Sequence, residues 1–147
     1  MFDPDIAVTS PDGRPLVDVE VKALLGRGPE WAAELRNRLM RPSPPPYFLL
    51  AMPERLFLWR NEGDSSERLP DLELQTESVL KRYFPAHWTT LEQWNSGEVL
   101  ELAISAWLND LAWGNPNLLS TPPVLELERT GFLAAIRGGC VRFGAAA

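Results

Sequence analysis

The chain has 147 residues, 45% of them hydrophobic, and a formal net charge of −6. It is therefore long enough for one domain with a real apolar core and too acidic to coat nucleic acid by charge alone. A single cysteine, Cys140, and a single histidine, His87, exclude a disulfide framework and a Cys/His zinc site and leave no support for a catalytic triad.

The opening residues carry no basic and apolar leader pattern, and no apolar run is long enough to cross a bilayer. The expectation is a soluble, cytoplasmic protein with no membrane partner. In chain order, Asp5-Ile-Ala-Val-Thr9 alternates and is rich in β-formers, which predicts a strand with Asp5, Ala7 and Thr9 on one face. Ser10 to Pro15, with Asp12-Gly13 as its tightest signal, predicts a turn into a second strand, Pro15-Leu-Val-Asp-Val-Glu-Val-Lys-Ala23. In that strand Leu16, Asp18, Glu20 and Lys22 share one face and Val17, Val19, Val21 and Ala23 the other. Charges at two-residue spacing inside an apolar run need partners, because buried charge is costly unless paired or bound to a metal. Lys22 is notable in itself, since only Lys22 and Lys81 among 14 basic residues are lysine.

Gly26 to Pro29 ends this strand, and Glu30 to Met40 predicts a helix with Trp31, Leu35 and Leu39 on its apolar stripe and Arg36 and Arg38 off its centre. Arg41 to Pro46 is a stiff connector. Tyr47 to Met52 is continuously apolar, as a strand covered on both faces requires, and Arg55 to Arg60 predicts a fourth strand. A helix crossing between the second and third strands implies that they lie parallel in a mixed sheet. Asn61 to Asp71 predicts a surface loop, Glu73 to Tyr83 a weak helix stopped at Phe84-Pro85, and Ser96 to Trp113 the strongest helix. The wide apolar face of that helix suggests self-association. Leu125 to Ile136 predicts a last helix and Val141 to Phe143 a short final strand.

Pro4-Asp5, a hairpin turn, and Glu20-Val21-Lys22 after a hydrophobic approach resemble the signature of the PD-(D/E)XK nuclease superfamily. The helix that follows, the strand at Pro46 to Pro53 and Leu58-Trp59 resemble in particular the nuclease domains at the start of type I restriction subunits and their small relatives. The resemblance covers about residues 3 to 60 and lies in the order of elements as much as in the motif. It implies an α/β, restriction endonuclease-like fold: a mixed central sheet flanked by helices, in one domain over 1–147, with a core at about 3–60 and a C-terminal helical extension at about 72–140.

The activity implied is Mg²⁺- or Mn²⁺-dependent hydrolysis of DNA phosphodiesters by an endonuclease, with a second copy or a protein partner to add positive charge. Carried over residue by residue, Asp5 and Glu20 would hold the metal with the backbone carbonyl of Val21, and Lys22 would orient or deprotonate the attacking water. Asp18 either joins a second metal site or pairs with Lys22 or an arginine. The family's early acidic helix has no counterpart in Met1-Phe2-Asp3, and Glu98 and Glu101, one turn apart on the long helix, are the candidate replacement or else a solvated acidic edge. Where several branches of the family have a glutamine, this chain has Glu34.

Two other readings stand beside this one. Asp18, Glu20 and Lys22 also suit a cross-strand salt-bridge ladder, and the fold also suits a catalytically inactive module serving as a structural or interaction domain. His87 reads as a loop residue, Cys140 as a small apolar one, and Trp31, Trp59, Trp107 and Trp113 as core or interface anchors.

Overall fold

The computed structural model describes residues 3–62 and 67–144. Six strands form one mixed sheet in the order β5-β4-β3-β2-β1-β6. β1 (Ile6–Thr9) and β2 (Pro15–Val21) make the hairpin, closed by a turn in which Gly13 adopts φ +88° and its N–H reaches the Ser10 carbonyl at 2.9 Å. A positive φ suits glycine there because it has no Cβ to clash. α1 (Pro29–Leu39) starts on Pro29, which fits the first helical turn, and ends before Arg41-Pro42. It carries the chain across to β3 (Tyr47–Ala51), parallel to β2, and β4 (Arg55–Arg60) returns antiparallel.

The 72–140 segment is not only helical. Leu72–Gln75 is a strand, β5, on the outer edge beside β4, and only then do α2 (Thr76–Leu80) and a 3-10 turn at Lys81–Tyr83 follow. The helix expected from Glu73 therefore begins at Thr76: Leu72 and Leu74 lie opposite Leu58 and Leu56, and that pairing outweighs the helical preference of the glutamates. α3 (Gly97–Ala112) is capped by Ser96, whose side chain accepts the Val99 N–H. After it come α4 (Pro116–Leu119), α5 (Pro122–Arg129) and α6 (Phe132–Ile136). The single helix expected over Leu125 to Ile136 is thus two, broken where Gly131 takes φ +81°. β6 (Cys140–Phe143) pairs with β1 and forms the other sheet edge.

Strand alternation assigns the two faces to two cores. Ile6, Val8, Val17, Val19, Val21 and Leu49 pack with Trp107, Leu108, Phe132 and Ile136 on the side of α3 to α6. Phe48, Leu50, Phe57 and Trp59 pack under Ala32, Ala33 and Leu35 of α1. β3 is buried at all five positions, as a strand covered on both faces must be.

Two expectations change. Arg36, placed off the apolar centre of α1, is fully buried: its guanidinium lies 5.5 Å from the Trp59 ring centroid and donates to Asn61 Oδ1 at 2.8 Å. The long arginine stem crosses the aromatic surface and delivers its charged head to a polar partner. The wide apolar face of α3, expected to drive self-association, is used within the chain, where Leu100, Ile104, Trp107, Leu108 and Leu111 are buried in the larger core. Among the described residues, no helix is long and apolar enough to cross a membrane.

Candidate functional site

The hairpin register decides which charges meet. Ile6 lies opposite Val19 in an antiparallel pair, so Asp5, one residue earlier, comes opposite Glu20, one residue later. Asp5 Oδ2 accepts the backbone N–H of Val21 at 2.8 Å, fixing its carboxylate against the end of β2. Lys22 extends the strand by donating its N–H to the Ala51 carbonyl at 3.0 Å, and its Nζ lies 3.2 Å from Glu20 Oε2. The structure therefore brings Asp5, Glu20, Val21 and Lys22 together at the end of β2. β2 and β3 are parallel, and Glu20 pairs with Leu50, so Glu20 lies on the sheet face covered by α1.

Glu20 is 6% exposed, and its carboxyl is pushed up from 4.5 to about 7. Burial is the largest cause, followed by the hydrogen bond to Asp5 and the Asp5 charge, while Lys22 pulls the other way. Two carboxyls at hydrogen-bonding range in a poorly hydrated place cannot both carry full charge at low cost, so Glu20 holds its proton well above the usual carboxylate range and releases it near pH 7. Lys22 offsets part of that cost from the solvent side, its side chain being 39% exposed.

Asp18 has a different fate. Arg41 grips it with two hydrogen bonds, Nε to Oδ2 at 2.8 Å and a second guanidinium nitrogen to Oδ1. The hydrogen bond to Asp18 is also the main reason the Arg41 pKa is raised. Both oxygens are engaged by Arg41, the pairing with an arginine that is one of the two alternatives for Asp18. Arg41 is the residue that sequence reasoning missed: the pattern marks it only as the start of the connector after α1, and nothing local signals a partner 23 residues away. Nor do Asp18, Glu20 and Lys22 form a ladder between strands, since Glu20 and Lys22 pair along β2 and Asp18 pairs with the connector after α1.

Glu101 of α3 is within electrostatic reach of Asp5. Its carboxyl is raised by burial first, then by the charges of Asp5 and Glu98. Glu34 and His87 are exposed, and Cys140 begins β6 half-buried. Trp59 and Trp107 are core residues, whereas Trp113 is 68% exposed.

Among the described residues, no three Asp, Glu, His or Cys side chains converge as a metal-holding group. The donor set at the end of β2 is two facing carboxyls, Asp5 and Glu20, and it suits a hard, oxygen-seeking cation, which usually takes only one or two carboxylates and keeps its waters. A divalent cation in place of the proton would relieve the repulsion that raises Glu20. Comparison with family models, with curated proteins and with solved structures gave no match.

Proposed function

We propose that the protein is a metal-dependent nuclease of the PD-(D/E)XK type that hydrolyses DNA phosphodiesters. The observation that carries this reading is the acid pair: Asp5 lies opposite Glu20, Glu20 titrates near 7, and the Lys22 ammonium lies 3.2 Å from it. In this reading Asp5, Glu20 and the Val21 carbonyl hold Mg²⁺ or Mn²⁺. When bound, the cation supplies a polarised water and neutralises charge on the phosphoryl oxygens. Glu20 must give up its proton to act as a ligand, so activity rises as pH passes through about 7. Lys22, whose ammonium lies beside Glu20, would orient the attacking water and stabilise the developing negative charge.

Positive charge for DNA would come from Arg27, exposed in the segment between the end of β2 and α1. With a net charge of −6, a second copy or a basic protein partner completes the electrostatic footprint.

The test is to incubate plasmid, linear and single-stranded DNA with the protein in Mg²⁺ or Mn²⁺, alongside Lys22→Ala and Glu20→Gln. Cleavage by the parent that is lost in both variants supports the reading; equal residual cutting by all three overturns it.

A second reading has its own observation. Asp5 already accepts the Val21 N–H, Asp18 is taken by Arg41, and among the described residues no third acidic side chain joins the pair to make a metal-holding group. A catalytically inactive module would keep such a satisfied network for structure alone. It predicts no metal-dependent cutting and no change in thermal stability on adding Mg²⁺, whereas a site that binds the cation is stabilised by it.

A further inference from the structure

A cleft of about 420 Å³ opens between α2, the turn after it, α3 and the α4–α5 corner. Its floor is apolar: Val79, Trp107, Leu118 and Val124 line it, and all four are buried core residues. Its rim is polar and basic, with Ser78, Lys81, Arg82 and Thr121. No carboxylate lines it, although acidic residues outnumber basic ones 20 to 14 in the chain. Lys81 has one distant ion pair, 3.9 Å to Glu77, with both side chains more than half exposed. Such a pair is weak and easily exchanged. Arg82 lies 6.0 Å from the Tyr83 ring, and no carboxylate forms a salt bridge with it among the described residues. A neighbouring cavity of about 510 Å³ shares Ser78, Thr121 and Pro123 with the cleft but carries Glu73 and Glu126 on its far side. Glu73 is itself paired with Arg55 at 3.5 Å, which leaves Glu126 as the carboxylate of that cavity with no salt bridge among the described residues, while the basic side chains line the cleft.

We infer that this cleft is a binding site for a small amphipathic anion: a carboxylate or comparable acid group held by Lys81 and Arg82, with an aliphatic or aromatic body on the floor of Val79, Trp107, Leu118 and Val124. The volume lies in the range of small-molecule sites, and an apolar floor with a few convergent polar groups is their usual chemistry. Charge complementarity favours one orientation, because Lys81 and Arg82 on the cleft attract the acid group while Glu126 of the neighbouring cavity repels it. None of these residues belongs to the Asp5–Glu20 site, so the inference stands or falls independently of the nuclease reading.

Octanoate and its uncharged counterpart 1-octanol separate the terms, with binding followed through the NMR shifts of the valine and leucine methyl groups. Octanoate is expected to bind at one site, to shift the methyls of Val79, Leu118 and Val124, and to bind more tightly than octanol. A Lys81→Ala/Arg82→Ala double variant changes only exposed side chains; its thermal melt checks that it is folded. It should weaken octanoate about tenfold, as expected for loss of a charge-assisted contact, and leave octanol unchanged. Three outcomes overturn the inference: no binding or equal affinity for the two probes, undiminished octanoate affinity in the double variant, or shifts centred on the exposed Leu102 and Trp113.

Discussion

The two faces of the sheet are built on different principles. The face toward α3, α5 and α6 is closed by apolar side chains, with Ile6, Val8, Val17, Val19, Trp107 and Phe132 at 1% exposure or less. The face toward α1 buries Asp18, Glu20 and Arg36 among its apolar residues, each with a named polar partner. The first face draws its stability from non-directional burial and tolerates rearrangement. The second contributes less per residue, since desolvating charges offsets much of their attraction, but it fixes which groups meet. A candidate site on the second face is consistent with this division, because chemistry needs fixed charges more than it needs stability.

The contrast is most easily broken on the apolar side. Trp107→Ala removes a large, fully buried side chain and should cost about 3 to 5 kcal/mol in urea unfolding. If it costs less than about 1 kcal/mol, the apolar face is not the main source of stability.

The next effect belongs to the charged face and is read by pH. Glu20 titrates near 7 when folded and near 4.5 when unfolded, so between these values the folded state holds more protons than the unfolded one. Stability must therefore fall as pH rises from 4.5 to 7 and change little with this group above that, by on the order of 3 kcal/mol at most. Glu20→Gln should flatten the profile in this window; an unchanged slope assigns the titration to another group.

Arg41→Ala leaves the Asp18 carboxylate buried without its partner and should cost about 2 to 3 kcal/mol, below the value for a fully buried pair because the Arg41 side chain is 33% exposed. A double-mutant cycle with Asp18→Asn isolates the coupling, and a coupling near zero would remove Arg41 from the account. The smallest effect belongs to the apolar face, at the break between α5 and α6. Gly131→Ala places a Cβ at positive φ and 3.0 Å from the Tyr47 hydroxyl, which itself donates to the Thr130 carbonyl at 2.7 Å. A cost of about 1 to 2 kcal/mol in thermal unfolding is expected.

What the sequence made legible follows the same division. Period-two alternation, the Asp12-Gly13 turn and the apolar run at Tyr47 to Met52 were enough for the hairpin and the parallel β2–β3 pair, because each depends on neighbours or on one crossover, whereas the register that sets Asp5 opposite Glu20 is fixed only by the strand pairing itself. Arg41 and Arg36 were not legible, since their partners, Asp18 and Asn61, lie 23 and 25 residues away and the helix pattern gives no hint of them. β5 was missed because a four-residue edge strand written Leu-Glu-Leu-Gln has the composition of a helix and owes its conformation to β4. The break at Gly131 was hidden because the apolar spacing continues across it.

One consequence follows from where β6 lies. It is the last strand of the described chain, yet it covers the first, and the Gly144 N–H reaches back to the Asp5 carbonyl at 2.8 Å. During synthesis on the ribosome β1 emerges early and has one exposed margin until Cys140–Phe143 has left the exit tunnel. The loop between them spans nearly the whole chain, so its closure is a late, long-range event in folding. The Asp5 end of the hairpin therefore gains its second neighbouring strand only once Cys140–Phe143 is free to pair.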